Sequence, residues 1–265
     1  MGKLCNAHVA MVRSFVFFSI LLLLSLKGYA QDEAGEGIYY TMVEAKLEPS
    51  KVRVLILENQ NYFELPTEIA SFFNLEMLSM KGNHLSDLPS FICSLNLLHE
   101  LNLSENLFST WPKDLFKISS MRTLTITDNQ LTTIPDSLLN LKHLFRLNAS
   151  HNKISSITSY IFKFKELNAL NLSHNNLHTI PDGLCLLNSL HYLYLSENEI
   201  DHIPSCVVDM VDLSLLDVSR TNVVTLPHHI SKMKSLKLLN LRETKIHKAE
   251  VEKIKKEMPH VIIDN

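Results

Sequence analysis

Glycine and proline are scarce in this chain: six and nine residues among 265 are too few for a collagen-like or low-complexity protein. The chain also has no large excess of charge of one sign, since it contains 25 basic and 28 acidic residues. No half of the chain is strongly basic, which argues against a nucleic-acid surface. Hydrophobic residues make up 46% of the chain, enough for a sizeable core and too many for a disordered protein.

Catalytic and cofactor-binding motifs are missing as well. The sequence contains no G-x-S-x-G, P-loop, G-x-G-x-x-G, H-E-x-x-H or C-x-x-C pattern. We therefore expect no enzyme activity, no catalytic residue, no cofactor and no resident metal.

The N-terminal segment has the layout of an export signal. Lys3 and Arg13 precede an uncharged, mostly apolar stretch over residues 15–26, which is shorter than the roughly 17–25 residues that span a bilayer as a helix. Small residues then lead to Ala30, and a polar stretch follows. This predicts a signal peptide over residues 1–30, with a mature protein that is secreted, periplasmic or on the cell surface. Its removal leaves 22 basic and 28 acidic residues. An uncleaved membrane anchor is the alternative.

A 23-residue period runs without insertion or deletion from residue 52 to about residue 246. Apolar residues stand three positions before and two positions after one column that is leucine in all nine units. That column is Leu55, Leu78, Leu101, Leu124, Leu147, Leu170, Leu193, Leu216 and Leu239.

A polar column follows five residues after the invariant leucine. It reads Gln60, Asn83, Asn106, Asn129, Asn152, Asn175, Asn198, Thr221 and Thr244. An asparagine amide can satisfy both N–H and C=O groups of a chain that turns sharply off a strand. We expect these amides to form a ladder along the molecule that weakens at the two threonines. An apolar residue and an apolar-Pro pair come next, and they direct the chain onto the outer face.

The pattern L-x-x-L-x-L-x-x-N-x-L-x-x-L-P resembles the leucine-rich repeat family in its 23-residue form. The resemblance implies an α/β solenoid shaped like a horseshoe, with a parallel sheet on the concave side and irregular or helical segments on the convex side. The export signal and the lead-in to the repeats are similar to exported bacterial members of the family.

The ends of a repeat stack need caps, because each repeat buries its leucines only against its neighbours. We expect an N-terminal helical cap over residues 31–51, with a helix at 38–48. The repeats occupy residues 52–246, and a C-terminal capping helix lies within residues 247–265.

Cys185 and Cys206 occupy neighbouring repeats but different repeat positions. This disfavours a bridge between them, although it leaves one open. Together with Cys93, they are expected to be half-buried thiols that pack as small apolar groups.

The concave face offers a candidate binding surface, because strand side chains on either side of the invariant leucine point outward. Aromatic and arginine side chains, which binding hot spots favour, concentrate in repeats five to eight. The candidate residues are Phe145, Arg146, His151, His174, Tyr192, Tyr194, Asp217 and Arg220. We expect Tyr192 and Tyr194 to be exposed and to anchor a protein partner, although ordinary variable surface would look the same.

His151 and His174 occupy one repeat position in adjacent units, and Asp128 and Glu197 flank them in that column. A divalent cation there is an alternative, but solvated surface histidines are the favoured explanation of the pattern. The sequence therefore predicts an exported, monomeric interaction module that uses its concave face to bind a protein or a surface glycan. The alternatives are a structural or adhesive component of the cell envelope and, without export, an intracellular signalling scaffold.

Overall fold

The computed structural model describes residues 37–158 and 160–265. The predicted signal peptide, residues 1–30, and the first six residues of the expected N-terminal cap lie outside them. The β-strands of the described residues are β1 (Ile38–Tyr39), β2 (Val54–Ile56), β3 (Met77–Ser79), β4 (Glu100–Asn102), β5 (Thr123–Thr125), β6 (Thr133–Ile134), β7 (Arg146–Asn148), β8 (Ser156–Ile157), β9 (Ala169–Asn171), β10 (Tyr192–Tyr194), β11 (Leu215–Asp217), β12 (Leu238–Asn240) and β13 (Ile262–Asp264).

Eleven of these strands form one parallel sheet in which the spatial order follows the chain order. β6 and β8 are left out of it and pair with each other in parallel. Each repeat contributes one strand, and the invariant leucines pair directly, as Leu55 does with Leu78. The predicted solenoid with a parallel sheet is confirmed.

The convex side consists of short 3-10 turns. They span Thr67–Ser71, Ser90–Ser94, Lys113–Lys117, Asp136–Asn140, Ile161–Lys163, Asp182–Leu186, Ser205–Asp209 and Ile230–Lys232. Six of them follow the proline of an apolar-Pro pair directly. Proline has a fixed φ that starts such a turn, and it lacks only an N–H that would have no partner there.

The core is the set of apolar columns stacked between the sheet and the convex turns. All nine invariant leucines are 0% exposed, as are the nine residues three positions before them. Burying one such side chain contributes about 1.5–3 kcal/mol. Because each repeat supplies the same columns, the core is continuous along the solenoid.

The asparagine ladder connects each repeat to the one before it. In Asn129, Oδ1 accepts a hydrogen bond from Phe108 N at 2.9 Å, and Nδ2 donates to Leu103 O at 3.0 Å. The same arrangement recurs from Asn83 to Asn198. Thr221 has a single hydroxyl hydrogen and donates it to Val218 O within its own repeat, at 2.6 Å. The ladder therefore weakens toward the C-terminus, as predicted.

Repeat five departs from the others because Thr158 stands where seven other repeats have the proline of the apolar-Pro pair. The Thr158 N–H donates to Ile134 O at 3.1 Å, a bond that proline cannot make. This bond continues the pairing of β6 with β8, so the irregular repeat has extra backbone pairing on its outer side.

Both ends carry non-repeat elements. At the N-terminal end β1 pairs with β2, and helix α1 (Met42–Ala45) follows, with the Thr41 hydroxyl accepting from Glu44 N. This helix is shorter than the one expected over residues 38–48, because the first residues of that segment extend the sheet instead. At the C-terminal end helix α2 (Lys248–Glu257) buries Val251 and Ile254, and β13 adds the last strand.

Cys185 and Cys206 form a disulfide between two neighbouring convex turns, with their Cα atoms 5.8 Å apart. The expectation of free thiols at these two positions is wrong. The two cysteines are 21 residues apart, two fewer than the repeat length of 23. The stacked turns bring residues two positions out of register within the usual disulfide range of about 4.4–6.8 Å. Cys93 is a half-buried free thiol.

Among the described residues, no helix has both the length and the apolar character needed to cross a membrane.

Candidate functional site

The concave face is made of two rows of side chains that alternate with the invariant leucines. The first row precedes each leucine and contains Val54, Met77, Glu100, Thr123, Arg146, Ala169, Tyr192, Leu215 and Leu238. The second row follows each leucine and contains Ile56, Ser79, Asn102, Thr125, Asn148, Asn171, Tyr194, Asp217 and Asn240. Adjacent strands lie only about 4.8 Å apart, so neighbouring side chains in a row shield one another.

The second row is mostly buried because its polar members bind the turn that follows them. Asn102 Oδ1 accepts from Ser104 N at 3.0 Å and from Ser104 Oγ at 2.6 Å. Asn171 accepts from Ser173 N in the same way. Asn102 and Asn171 are 2% and 8% exposed, so the Asn-x-Ser pattern at these positions serves the repeat rather than a glycan.

Tyr192 and Tyr194 differ in exposure although both side chains belong to the concave face. Tyr192, in the first row, is 36% exposed, whereas Tyr194, in the second row, is only 8% exposed. The expectation of two exposed tyrosines is therefore wrong for Tyr194. Asp217, its neighbour on β11, is also buried, at 5%. Of these three residues, Tyr192 is the one that is open to a partner.

Phe145 and Arg146 form a separate cluster, at the start of β7. The Arg146 guanidinium lies 5.1 Å from the centre of the Phe145 ring, and that of Arg122 lies 5.7 Å from it. Guanidinium groups are attracted to an aromatic face. Burial raises the pKa of nearby Glu100, while His99 and Arg146 oppose that rise. Arg122, a repeat equivalent of Phe145, was not among the predicted residues.

A third line of side chains, the edge row, occupies the position just before the ladder asparagine. It contains Glu105, Asp128, His151, His174, Glu197, Arg220 and Glu243. All seven have φ between 52° and 54°, the left-handed region that non-glycine residues seldom adopt. Because the same turn recurs in every repeat, these side chains leave the backbone in one direction and meet their neighbours.

From Asp128 to Glu243 the edge row is a continuous chain of charged and imidazole groups. The rings of His151 and His174 stack with centroids 3.9 Å apart. His174 Nδ1 lies 3.0 Å from Glu197 Oε2, and Arg220 binds both Glu197, at 2.5 Å, and Glu243, at 3.2 Å. Burial lowers the pKa of His174, and the charge of His151 adds to that effect.

His151 and His174 are thus joined to each other and to carboxylates, with Asp128 Oδ1 3.9 Å from His151 Nδ1. Within the described residues, no group of three or more metal-ligating side chains is placed to hold a metal ion. The stacking of the two rings and their contacts with Asp128 and Glu197 account for the arrangement of His151 and His174.

A cleft of about 310 Å³ opens between the edge row and the second row in repeats six to nine. Its lining residues are His174, Ser196, Glu197, Asp217, Ser219, Arg220, Arg242 and Glu243. Burial raises the pKa of Asp217, against the hydrogen bonds that it accepts from Ser219 and Asn240. Arg242 and Glu243 were not predicted, although the 23-residue spacing from Ser219 and Arg220 identifies them.

Two comparisons with known proteins match this arrangement. Family profiles described as leucine rich repeat match residues 74–95, 96–154, 150–200 and 165–223, which together cover more than half of the chain. No curated protein matches the sequence.

Among solved structures, a leucine-rich repeat protein of Leptospira interrogans is 30% identical, with a TM-score of 0.79 over 85% of this chain. The chain spans 57% of the length of that protein. A chain from the complex of TLR13 with a single-stranded RNA is 25% identical, with a TM-score of 0.66 over 74% of this chain and 29% of that chain. A chain from an octameric complex of Latrophilin 3, Unc5D and FLRT2 is 22% identical, with a TM-score of 0.68 over 81% of this chain and 69% of that chain.

Proteins of this fold generally act as non-enzymatic binding modules, most often for other proteins. The uninterrupted 23-residue period, the eleven-stranded parallel sheet and the profile matches agree. The chain belongs to the leucine-rich repeat family.

Proposed function

We propose that the chain is an exported binding module that presents the concave face of repeats five to nine to a protein partner. The observation that carries this proposal is the open Tyr192, which lies in the first row of the concave face and is 36% exposed. An exposed aromatic ring is the kind of residue that dominates protein interfaces. Binding of this kind requires no catalysis, and the sequence contains none of the catalytic motifs named above.

The size of the surface supports a macromolecular partner. From β7 to β13 the sheet advances by five strand steps of about 4.8 Å, close to 24 Å in all. A standard protein interface buries roughly 800 Å² on each partner, which a strip of this length can supply together with its two edges.

Two observations support export. The first is the N-terminal sequence, with its basic start, its short apolar stretch and the small residues before Gln31. The second is the disulfide between Cys185 and Cys206. Disulfides persist in secreted and periplasmic proteins and are rare in the reducing cytosol. A mature N-terminus at Gln31, read by sequencing the protein released by its host, is the expected result; an intact Met1 would contradict export.

A nucleic-acid partner is disfavoured even though TLR13 was solved with RNA. From residue 166 to residue 219 the chain contains no lysine or arginine. Phosphate backbones are bound mainly through such cations. The concave face of repeats six and seven therefore lacks the charge that RNA would need.

The test of the proposed face is a binding measurement on a captured partner. The full chain serves as bait in its native host, and the captured protein is then purified and titrated against wild type and Tyr192→Ala. We expect the variant to weaken binding about tenfold or more, since aromatic hot spots contribute over about 1.4 kcal/mol. Tyr40→Ala, an exposed tyrosine at the N-terminal cap, is the matched control and should bind like wild type.

Equal affinity of Tyr192→Ala and wild type would exclude this face. Self-association of the purified chain that depends on concentration, without a captured partner, would instead favour the structural or adhesive alternative.

A further inference from the structure

Asp217 is the single carboxylate among the nine residues of the second row. The other eight are apolar, hydroxyl-bearing or amide side chains. Asp217 is only 5% exposed. A buried carboxylate is costly because the charged form loses its hydration. Its presence at the floor of the cleft calls for an explanation.

The fold does not need the charge. Asp217 Oδ1 accepts from Ser219 N at 3.0 Å and from Ser219 Oγ at 2.7 Å. Asn148 performs the same task for Ser150 with a neutral amide, at 3.2 Å and 2.9 Å. An asparagine would therefore hold the turn equally well.

The described residues also supply no counter-ion for Asp217. Its hydrogen-bond partners are Ser219 and Asn240, and the neighbouring Asp264 repels its charge. The nearby Arg220 is held by Glu197 and Glu243. No ion pair of the described residues includes Asp217.

The cleft around this carboxylate has room and suitable walls for a cation. Its charged lining comprises three carboxylates and two guanidinium groups, and one of those guanidinium groups, that of Arg220, is already paired. Tyr194 is the strand neighbour of Asp217 on one side, but it is buried and does not line the cleft, so the carboxylate itself is the feature that attracts a cation.

We infer that this cleft accepts the cationic side chain of an arginine or lysine from the protein partner, with Asp217 as its counter-ion. The inference rests on the proposed function, since the partner must dock on the concave face. It explains why a carboxylate occupies a position where an amide would serve the fold.

The probe is N-acetyl-arginine methylamide, titrated into the ¹⁵N-labelled full chain and followed by two-dimensional NMR. The matched probe is N-acetyl-citrulline methylamide, which has the same shape without the charge. We expect the arginine probe to shift the backbone amides of Ser219 and Arg242 at millimolar concentration, and the citrulline probe to leave them in place.

Asp217→Asn should abolish these shifts while the rest of the spectrum stays that of the wild type, because the amide keeps the bonds to Ser219. Asp209→Asn, an exposed carboxylate on the convex side, is the control and should respond like wild type. Equal shifts with both probes, equal shifts in Asp217→Asn, or no shift at all would overturn the inference.

The same variants separate this inference from the proposed function. If Tyr192→Ala weakens the captured partner and Asp217→Asn does not, the concave module stands and the cation site is wrong. If neither variant changes the affinity, the concave face itself is wrong.

Discussion

Replacing Asn129 by alanine tests how much the asparagine ladder stabilises the solenoid. Asn129 is 8% exposed and lies in the fourth repeat. Its Oδ1 accepts from Phe108 N at 2.9 Å, and its Nδ2 donates to the carbonyls of Leu103, Ile126 and Thr127. Alanine removes all four bonds and keeps the backbone unchanged.

The four bonds do not carry equal weight. Each carbonyl keeps a second donor: Asn106 for Leu103, Asn152 for Ile126 and Glu105 N for Thr127. The Phe108 N–H loses its partner in a buried position. An unsatisfied buried N–H costs about 1–3 kcal/mol, and the weakened carbonyls add about 1 kcal/mol. We expect Asn129→Ala to lower the free energy of unfolding by about 2–4 kcal/mol.

Urea denaturation measures this loss, followed by circular dichroism and by the fluorescence of Trp111, the single tryptophan of the chain. Trp111 Nε1 donates to Thr133 O in the adjacent repeat, so its emission reports on the region of the substitution. Thr221→Ala is the matched control, since it removes one bond within its own repeat and should cost about 1 kcal/mol. Equal losses in the two variants would refute the claim that bonds between repeats dominate the ladder.

Four further outcomes follow from the structure. Thr221→Asn should extend the ladder and raise the free energy of unfolding by about 1 kcal/mol, read from the urea midpoint. Cys206→Ser should lower it by about 3 kcal/mol through loss of the bridge to Cys185; a wild-type chain that yields an extra pair of free thiols without reductant would contradict this bridge. Asp217→Asn should be more stable than wild type at neutral pH, because burial raises the pKa of this carboxyl and so disfavours its charged form in the folded protein. The gain in stability should vanish as the pH falls below about 4, where the aspartate is neutral in both the folded and the unfolded chain. Thermal melts of the two proteins across pH 3–8 measure this difference. The pKa of His174 should lie below 6.5 by NMR titration, and its contribution to stability should decline as the pH falls through that range, because the unfolded chain binds the proton more readily.

The periodic part of the molecule could be predicted from the sequence because every repeat places a given column in the same surroundings. The nine invariant leucines are all fully buried, and each Asn of the ladder bonds to the preceding repeat. The weaker ladder at Thr221 also followed from the sequence, since a hydroxyl has one hydrogen where an amide has two. Such features depend only on local chemistry and on the period.

The candidate surface depended on tertiary structure instead. Tyr192 and Tyr194 are two residues apart and belong to the same face, yet only Tyr192 is open. The close spacing of the second row buries Tyr194 and Asp217, and this changed Asp217 from an expected contact residue into a buried carboxylate at the floor of a cleft. Exposure is decided by neighbours on adjacent strands, which the alternation of side chains does not specify.

The disulfide and the edge row also separate what the sequence predicts from what the tertiary structure decides. Cys185 and Cys206 are 21 residues apart, so a comparison of repeat positions disfavoured a bridge that the stacked convex turns allow. The 23-residue spacing places Glu197, Arg220 and Glu243 in one column, but it does not specify the ion pairs between them. The sequence by itself determined which residues are buried by the repeat, because a fixed period repeats one environment. The tertiary structure decided which surface residues meet, because those contacts join residues from different repeats at distances set by the stacking.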